Sequence, residues 1–502
     1  MAILTPVVSW FTRQRLHQIE LFLKYPHEVQ RDWLKNLLKS AENTEYGRLH
    51  DFKTIQSVAE FQQRVSLNSY DTLKPYIDRL RKGEQQLLWD SDIHWFAKSS
   101  GTTAGKSKFI PVSAESLEEC HYKGGKDMFA LYLNNYPDSN LFDGRSLGMG
   151  GSHYISDTKS DTFYGDVSAI LIQNLPFWAE FLRVPSLDIA LMDKWEEKIE
   201  KMAHTTIERN VTNIAGVPSW TLLLLKRILE ITGKKDISEI WPNLEVFFHG
   251  GVSFTPYRKQ FKALISSPKM NYVETYNASE GFFGIQDTVN GDDMLLMLDY
   301  GIFYEFIPLE HIHEEQPKAL TLDQVELHKN YAIVITTNAG LWRYLIGDTI
   351  QFTNLSPHRI KISGRTKTFI NAFGEELIED NAIKALSITC EKTNAEVTDF
   401  TAAPVYLEDG KHARHQWLIE FAKPPEDLQY FSEVLDNAIK AQNSDYEAKR
   451  YQDLMLVLPE VIAVPEKTFY TWLKQSGRLG GQNKVPRLSN NREIADEILQ
   501  II

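Results

Sequence analysis

The chain has 502 residues, 43% hydrophobic and 24% charged, which is ordinary for a globular protein of roughly two to four domains with a large core. Its 54 Lys and Arg against 67 Asp and Glu leave a net charge of −13, which argues against general nucleic-acid binding because that needs basic surface. The two cysteines, Cys120 and Cys390, lie far apart, which disfavours a disulfide framework or a thiolate zinc site and suits a cytoplasmic protein.

The N-terminal MAILTPVVSWF lacks a basic leader and a small-residue cleavage site, so it reads as the start of a packing helix. No run approaches the roughly 20 apolar residues of a membrane span; WTLLLLKRIL is too short. Leu16, Ile19, Leu23, Trp33, Leu34 and Leu37 recur at helical spacing and predict a helical segment over 15–40. Ile93–Lys98 and Lys108–Val112 read as strands flanking a polar loop. A helix over 114–135 follows, capped by Ser113, with Glu115 and Glu118 near its N-terminus.

From about 145 to 290 strand and helix signals alternate. Strands are predicted at Leu244–Phe248 and Met270–Tyr276, and helices at 192–208, 219–231 and 256–266, a pattern that argues for α/β layering. From 294 to 363 the runs MLLMLDY, IFYEFI, YAIVITT and RIKIS predict successive strands of an antiparallel subdomain. Beyond the Gly364–Thr368 turn a compact α+β unit is expected. It has helices at 376–390, 426–442 and 466–474 and strands at 396–407, 414–421 and 454–462.

Four stretches carry chemistry. AKSSGTTAGKSKFIPV, residues 97–112, joins small hydroxyl residues and glycines to Lys106 and Lys108, so backbone N–H, side-chain O–H and ammonium groups can converge on an anion. It is not a Walker A loop: Gly101 and Gly105 enclose three residues, not four. Taken alone it is either a phosphate loop or a flexible polar turn. Tyr276-Asn277-Ala278-Ser279-Glu280-Gly281 ends the apolar strand MNYVETY, where α/β folds place ligands. Tyr276 offers a face for a purine, Ser279 a hydroxyl for phosphate, and Glu280 a hard oxygen for Mg²⁺, or else Glu280 is simply solvated. Asp348, after Gly347 on a tight turn, either accepts two ribose hydroxyls or caps its own turn. His249-Gly250-Gly251-Val252 lets a flat ring approach the backbone, with His249 read as structural.

SSGTTAGKSKFIP, YNASEGFFG and AGLWRYLIGD, in this order and spacing, resemble the three signature motifs of adenylate-forming enzymes. They are most similar to those of the Gretchen Hagen three family of acyl acid amido synthetases, first known as auxin-responsive plant proteins. The resemblance runs over nearly the whole chain. GRTK followed by INAFGEEL is similar to the superfamily hinge, and GQNKVPR to the family's C-terminal Q-Y-K-x-P-R element. Trp342, Leu345 and Asn483 depart from the plant pattern, which leaves acyl and amine specificity open.

The resemblance implies an α/β fold with a large N-terminal acyl-adenylate-forming domain of layered sheets and helices, residues 1–365. A small, mobile C-terminal α+β domain, 366–502, would turn about Arg365–Thr368. It implies that Ser99, Ser100, Thr102, Thr103 and Lys106 cradle the β- and γ-phosphates of ATP. Tyr276 would lie near adenine, with Gly250, Gly251 and Val252 as the other wall. Ser279 would contact the α-phosphate, Glu280 would hold Mg²⁺, Asp348 with Arg365 would bind the ribose, and Lys484 would be the catalytic lysine. The expected partners are a small carboxylic acid and an amino acid, with no nucleic acid or membrane. The alternatives are an acyl-CoA ligase, which shares the first step and every motif, and a non-catalytic nucleotide-binding protein, which would have lost a motif residue. His153 and Tyr154 in GGSHYISD either face the acid or belong to the core.

Overall fold

Pro26 lacks a backbone N–H and fits only the first turn of a helix, so the opening helical segment divides there. In the computed structural model the two pieces are Leu4–Lys24 and Pro26–Ala41. The structure describes residues 4–99, 108–151, 153–155, 161–175, 177–192, 194–251, 254, 257–312, 314–366, 369–370, 375, 377–405, 413–443, 446–447, 450, 456–478, 484–489 and 491–502. They fall into two compact units. The larger comprises Met1–Phe254, Lys259–Ile346 and Gln351–Lys361; the smaller comprises Thr255–Arg258, Gly347–Ile350 and Ile362–Ile502.

An 11-stranded sheet forms the frame. Its strand order is Ile302–Pro308, Asn330–Thr337, Tyr344–Leu355, His358–Arg365, Met294–Leu296, Gly281–Ile285, Asn271–Ala278, Val246–Gly250, Val211–Gly216, Arg145–Gly148 and Arg183–Val184. From Asn271–Ala278 onward neighbouring strands run parallel, whereas Gly281–Ile285 pairs antiparallel on both sides. The strands of 294–363 include antiparallel pairs, as expected, and they continue the same 11-stranded sheet. The sequence also leaves out Tyr344–Leu355, because Gly347 interrupts its apolar run. Gly347 adopts φ +95°, and its carbonyl accepts the Thr366 N–H at 2.8 Å, so the strand continues through a local distortion that a Cβ would strain.

A second, four-stranded sheet has the order Lys108–Val112, Trp95–Ser99, Phe163–Gly165, His153–Ile155. The helix predicted over 114–135 is interrupted: α-helical at Ala114–Ser116, π-helical at Leu117–Tyr122, then α-helical at Lys123–Asn135. The Ser113 hydroxyl accepts the Ser116 N–H at 3.0 Å, as its capping role requires.

Polar anchors in the larger unit fix the N-terminal helices. The buried Gln30 carboxamide donates to the carbonyls of Leu298 and Ile302 at 3.0 and 2.9 Å and accepts the Tyr304 N–H at 2.8 Å. Arg15 pairs with Asp127 at 2.7 Å and Asp299 at 2.6 Å, and the buried Tyr300 hydroxyl donates to Asp127. Arg15 is thus a core anchor of the larger unit.

The smaller unit is built on the strands Glu396–Val405, Arg414–Lys423 and Glu460–Val464. Successive side chains of Arg414–Lys423 face opposite ways. Trp417 and Ile419 enter one core with Phe431 and Leu435, while Leu418 enters another with Phe469, Trp472 and Ile498. The helix Glu493–Leu499, too short to leave a clear period, completes that second core. Among the described residues no helix is long and apolar enough to cross a membrane.

Candidate active site

The sequence-predicted phosphate loop is held at its base by an antiparallel hairpin in which Ser99 lies opposite Lys108. Ser100, Thr102, Thr103 and Lys106 lie outside the described residues. The strand leaving the loop is pinned where the Phe109 N–H donates to the Tyr70 hydroxyl at 3.0 Å and the Arg81 guanidinium lies 3.7 Å above the Phe109 ring. His153 and Tyr154 sit on the strand His153–Ile155, whose partner Phe163–Gly165 pairs in turn with Trp95–Ser99. The GGSHY stretch is thereby in the same sheet as the loop.

The second cluster lies where adjacent strands of the large sheet end. Gly250 is in register with Thr275 across a parallel pair. A Cβ on Gly250 would stand 2.5 Å from the Thr275 carbonyl oxygen, so only glycine fits this approach. Gly251 follows and is exposed; Val252 lies outside the described residues. Tyr276 is 4% exposed, its ring 4.8 Å from that of Phe283. It is packed into the sheet rather than presented as an open face.

Ala278 pairs with Gly281, which makes Ser279 and Glu280 the two residues of a tight hairpin turn. Ser279 is buried, and its hydroxyl has no hydrogen-bond partner among the described residues. A buried hydroxyl without a partner costs about 1–3 kcal/mol, which a protein retains where a ligand oxygen will satisfy it. Glu280 is half-buried beside it. Just beyond the turn, the Phe282 N–H donates to the Cys120 sulfur at 3.1 Å, fastening this strand to the π-helical stretch.

The third cluster belongs wholly to the smaller unit. Asp348, 7% exposed, pairs with Arg365, Nε to Oδ1 at 3.0 Å. Lys484 is placed by the segment behind it, which docks on the strand Glu396–Val405. The Thr401 hydroxyl donates to the Pro486 carbonyl at 2.6 Å, the Ala402 N–H to the Arg487 carbonyl at 2.9 Å, and the Ser489 N–H to the Ala402 carbonyl at 3.0 Å. The buried Arg487 guanidinium pairs with Asp399, donates to the Phe400 carbonyl at 3.2 Å and lies 4.9 Å over the Phe400 ring.

Crowding by protein pushes the Lys484 ammonium down to about 8; Arg365 adds to this, and Asp348 and Glu379 oppose it. Lys484 remains exposed, so solvent screens part of the effect. Glu379, the first residue of the helix Glu379–Thr393, has its carboxyl pushed up by burial and held back by Arg487, Arg365 and Lys484. The sequence reading missed Glu379. One carboxylate among 67 acidic residues carries no local signal.

Asp348, Arg365 and Lys484 are therefore brought together in one unit, and Gly250, Tyr276, Ser279 and Glu280 on neighbouring strands of the other. Among the described residues no group of three or more His, Cys, Asp or Glu could hold a metal. A lone carboxylate such as Glu280 suits Mg²⁺ that arrives already bound to phosphates and water.

The GH3 family N-terminal domain matches residues 15–270, its central domain 295–365 and its C-terminal domain 380–493. The chain is 22% identical to the indole-3-acetic acid-amido synthetase GH3.3 of Arabidopsis thaliana, covering 91% of this chain and 89% of that protein. It is 24% identical to the jasmonoyl–L-amino acid synthetase JAR4 of Nicotiana attenuata, covering 97% and 95%. In structure it is similar to the AtGH3.15 acyl acid amido synthetase solved in complex with 2,4-DB, with a TM-score of 0.79 at 18% identity over 97% of this chain and 96% of that one. With three successive family domains over its length and these clusters at the ends of its strands, the chain belongs to the GH3 family.

Proposed function

We propose that the protein is an ATP-dependent acid–amino acid ligase. A carboxylate oxygen of the acid attacks the α-phosphorus of ATP, forming acyl-AMP and expelling pyrophosphate. The amine of an amino acid then attacks the acyl carbonyl carbon, the C–O bond to AMP breaks, the amine loses a proton, and the amide and AMP depart. Negative charge builds on the phosphoryl oxygens in the first step, so fixed donors and cations supply most of the acceleration.

In this reading Ser99, Ser100, Thr102, Thr103 and Lys106 cradle the β- and γ-phosphates. Gly250, Gly251 and Val252 give the base its close approach, with Tyr276 stiffening the facing strand. Ser279 donates to the α-phosphate. Glu280 holds Mg²⁺, which supplies charge neutralisation across the phosphates. Asp348, oriented by Arg365, accepts the ribose hydroxyls, and Lys484 offsets charge during adenylation. The relatives named above, an indole-3-acetic acid-amido synthetase and a jasmonoyl–L-amino acid synthetase, support an amide product. Neither Cys120 nor Cys390 is held in a disulfide, which suits a cytoplasmic setting.

The observation that carries the reading is the Ser279–Glu280 turn, where a buried hydroxyl with no partner stands next to a half-buried carboxylate. Pyrophosphate exchange over a panel of carboxylic acids, followed by product analysis with amino acids or CoA as acceptor, tests it. Acid-dependent exchange and an amide product are expected. Thioester product alone would reassign the acceptor, and absence of exchange with every acid would overturn adenylation.

A further inference from the structure

The larger unit holds a cavity of about 390 Å³, lined by none of the residues assigned to nucleotide above. One wall is the helix Pro26–Ala41, which contributes Trp33. The others are the loop at Trp89 and Asp90, the helical turns carrying Glu115 and Glu119, and Asn338. Three carboxylates therefore line it, and among the described residues no Lys, Arg or His does.

Its walls are fastened to one another. The Ser91 hydroxyl donates to the Glu115 carboxylate at 2.8 Å. The Ser113 hydroxyl accepts the Ser116 N–H and donates to the Asn338 carbonyl at 2.7 Å, which ties the start of the Glu115 helix to the Asn338 turn. The Asn338 side chain is 3% exposed, and neither its carboxamide oxygen nor its nitrogen has a hydrogen-bond partner among the described residues. The buried Trp89 indole N–H has none either. Gly301, at φ +69°, makes room for the carboxamide: a Cβ there would stand 2.3 Å from the Asn338 nitrogen. A polar group seated this closely and left unpaired is costly, and proteins keep such groups where a ligand will pair them.

We infer that this cavity is a second ligand site and that it takes a short aliphatic diamine or polyamine. The charge of the lining calls for a cation. A metal ion is the wrong shape, because no three acidic side chains among the described residues converge closely enough to hold one. A cation that engages several of these carboxylates must be extended. The carboxylates and the Asn338 oxygen are acceptors, so they favour an ammonium that carries N–H groups over a quaternary one. Trp33 and Trp89 supply apolar wall for the methylene chain, and the volume lies within the roughly 300–1,000 Å³ of small-molecule sites. An amino acid is disfavoured, since its carboxylate would meet three others and no cation. The site is therefore distinct from that of the acceptor amine.

Calorimetric titration of the full-length protein with putrescine tests this, at about 0.15 M salt so that distant surface charges are screened. Saturable binding to the wild type is expected. Asn338→Ala should weaken it about tenfold, the equivalent of one hydrogen bond to a charged group, and Glu119→Gln about threefold or more, as for a partly solvated ion pair. Both variants should fold, because Glu119 is exposed and Asn338→Ala deletes a buried group that has no partner. Glu315→Gln removes an exposed charge outside the cavity and should leave the affinity unchanged. Tetramethylammonium, which has no N–H, should bind at least about tenfold more weakly than putrescine. Absence of saturable binding overturns the inference. Equal affinity in Asn338→Ala, Glu119→Gln and Glu315→Gln also overturns it, because the attraction would then belong to the net charge of −13 and not to the cavity. Tetramethylammonium bound as tightly as putrescine would overturn recognition through N–H groups and the diamine class with it.

Discussion

The Arg343 guanidinium and the Glu305 carboxylate form a buried pair inside the larger unit, Nη2 to Oε1 at 2.9 Å. Arg343 also donates to the carbonyls of Val65 and Gln62 at 2.6 and 3.0 Å, and the Gln62 carboxamide donates to Glu305 at 2.8 Å. By sequence Arg343 belongs to the nucleotide-motif stretch AGLWRYLIGD. In the fold it braces the helix Val58–Arg64 against the sheet, at a backbone φ of +42° that an arginine adopts only when its contacts impose it. Arg343→Met leaves a buried carboxylate uncompensated and is expected to cost about 3–5 kcal/mol. Urea unfolding checks this. The double variant Arg343→Met/Glu305→Met should recover much of the loss, since an apolar pair of similar size removes the buried charge. Weakened ATP binding at unchanged stability would instead make Arg343 a ligand residue.

Ser279→Ala separates function from folding. The hydroxyl is buried without a partner, so its removal is expected to leave stability unchanged or slightly raised. Pyrophosphate exchange should fall about 10- to 100-fold, the equivalent of one hydrogen bond to a charged oxygen. Thermal unfolding alongside exchange rates gives both readouts. A loss of stability with activity intact would show that the hydroxyl serves the fold alone.

Gly250→Ala pushes a methyl group to 2.5 Å from the Thr275 carbonyl oxygen, and the two strands must part to admit it. The expected cost is about 1–3 kcal/mol of stability, the usual range for overpacking. The KM for ATP should rise more than the KM for the acid, because this strand end is the proposed wall of the base site. Gly148→Ala is the control: its Cβ would meet nothing within 4 Å, and both KM values should hold. Equal rises in the two KM values for Gly250→Ala would remove Gly250 from the base site.

Much of this was legible because the signals were local. Lys108–Val112 follows from its own apolar run, and the Ser113 cap from one hydroxyl at a helix start. The helices predicted at 192–208 and 219–231 appear as Trp195–Thr206 and Pro218–Thr232. What was not legible depends on distant partners. Nothing near Asp348 says that its strand continues through Gly347, since that distortion is held by Thr366. Nothing near Lys484 says that it is placed by Thr401 and Ala402, more than 80 residues earlier; the Thr401–Pro486 bond alone spans 85 positions. The π-helical turns at Leu117–Tyr122 were hidden for the opposite reason, because their apolar spacing fits an ordinary helix well enough.

Asp348→Ala removes the carboxylate assigned to the ribose and the ion pair it makes with Arg365. The Arg365 side chain is 43% exposed, so water takes over its hydrogen bonds and little stability is lost. ATP affinity is expected to fall by about tenfold or more, as for other charged hydrogen bonds to a ligand. Calorimetric titration with ATP, together with a melting curve, checks both halves. Unchanged affinity would return Asp348 to the simpler role of holding Arg365.

Glu280→Gln tests the metal assignment through its concentration dependence. The carboxamide keeps the size and the hydrogen-bonding reach of the carboxylate but loses the charge that a hard cation requires. Mg²⁺ bound mainly by phosphate oxygens would still enter, so activity should be recoverable. The Mg²⁺ concentration giving half-maximal pyrophosphate exchange should rise by about tenfold, while the exchange rate at saturating metal falls less. The hairpin turn itself should be undisturbed, because the pairing of Ala278 with Gly281 sets it and not the side chain between them. A profile that falls at every Mg²⁺ concentration, with the midpoint unmoved, would place Glu280 against substrate rather than metal.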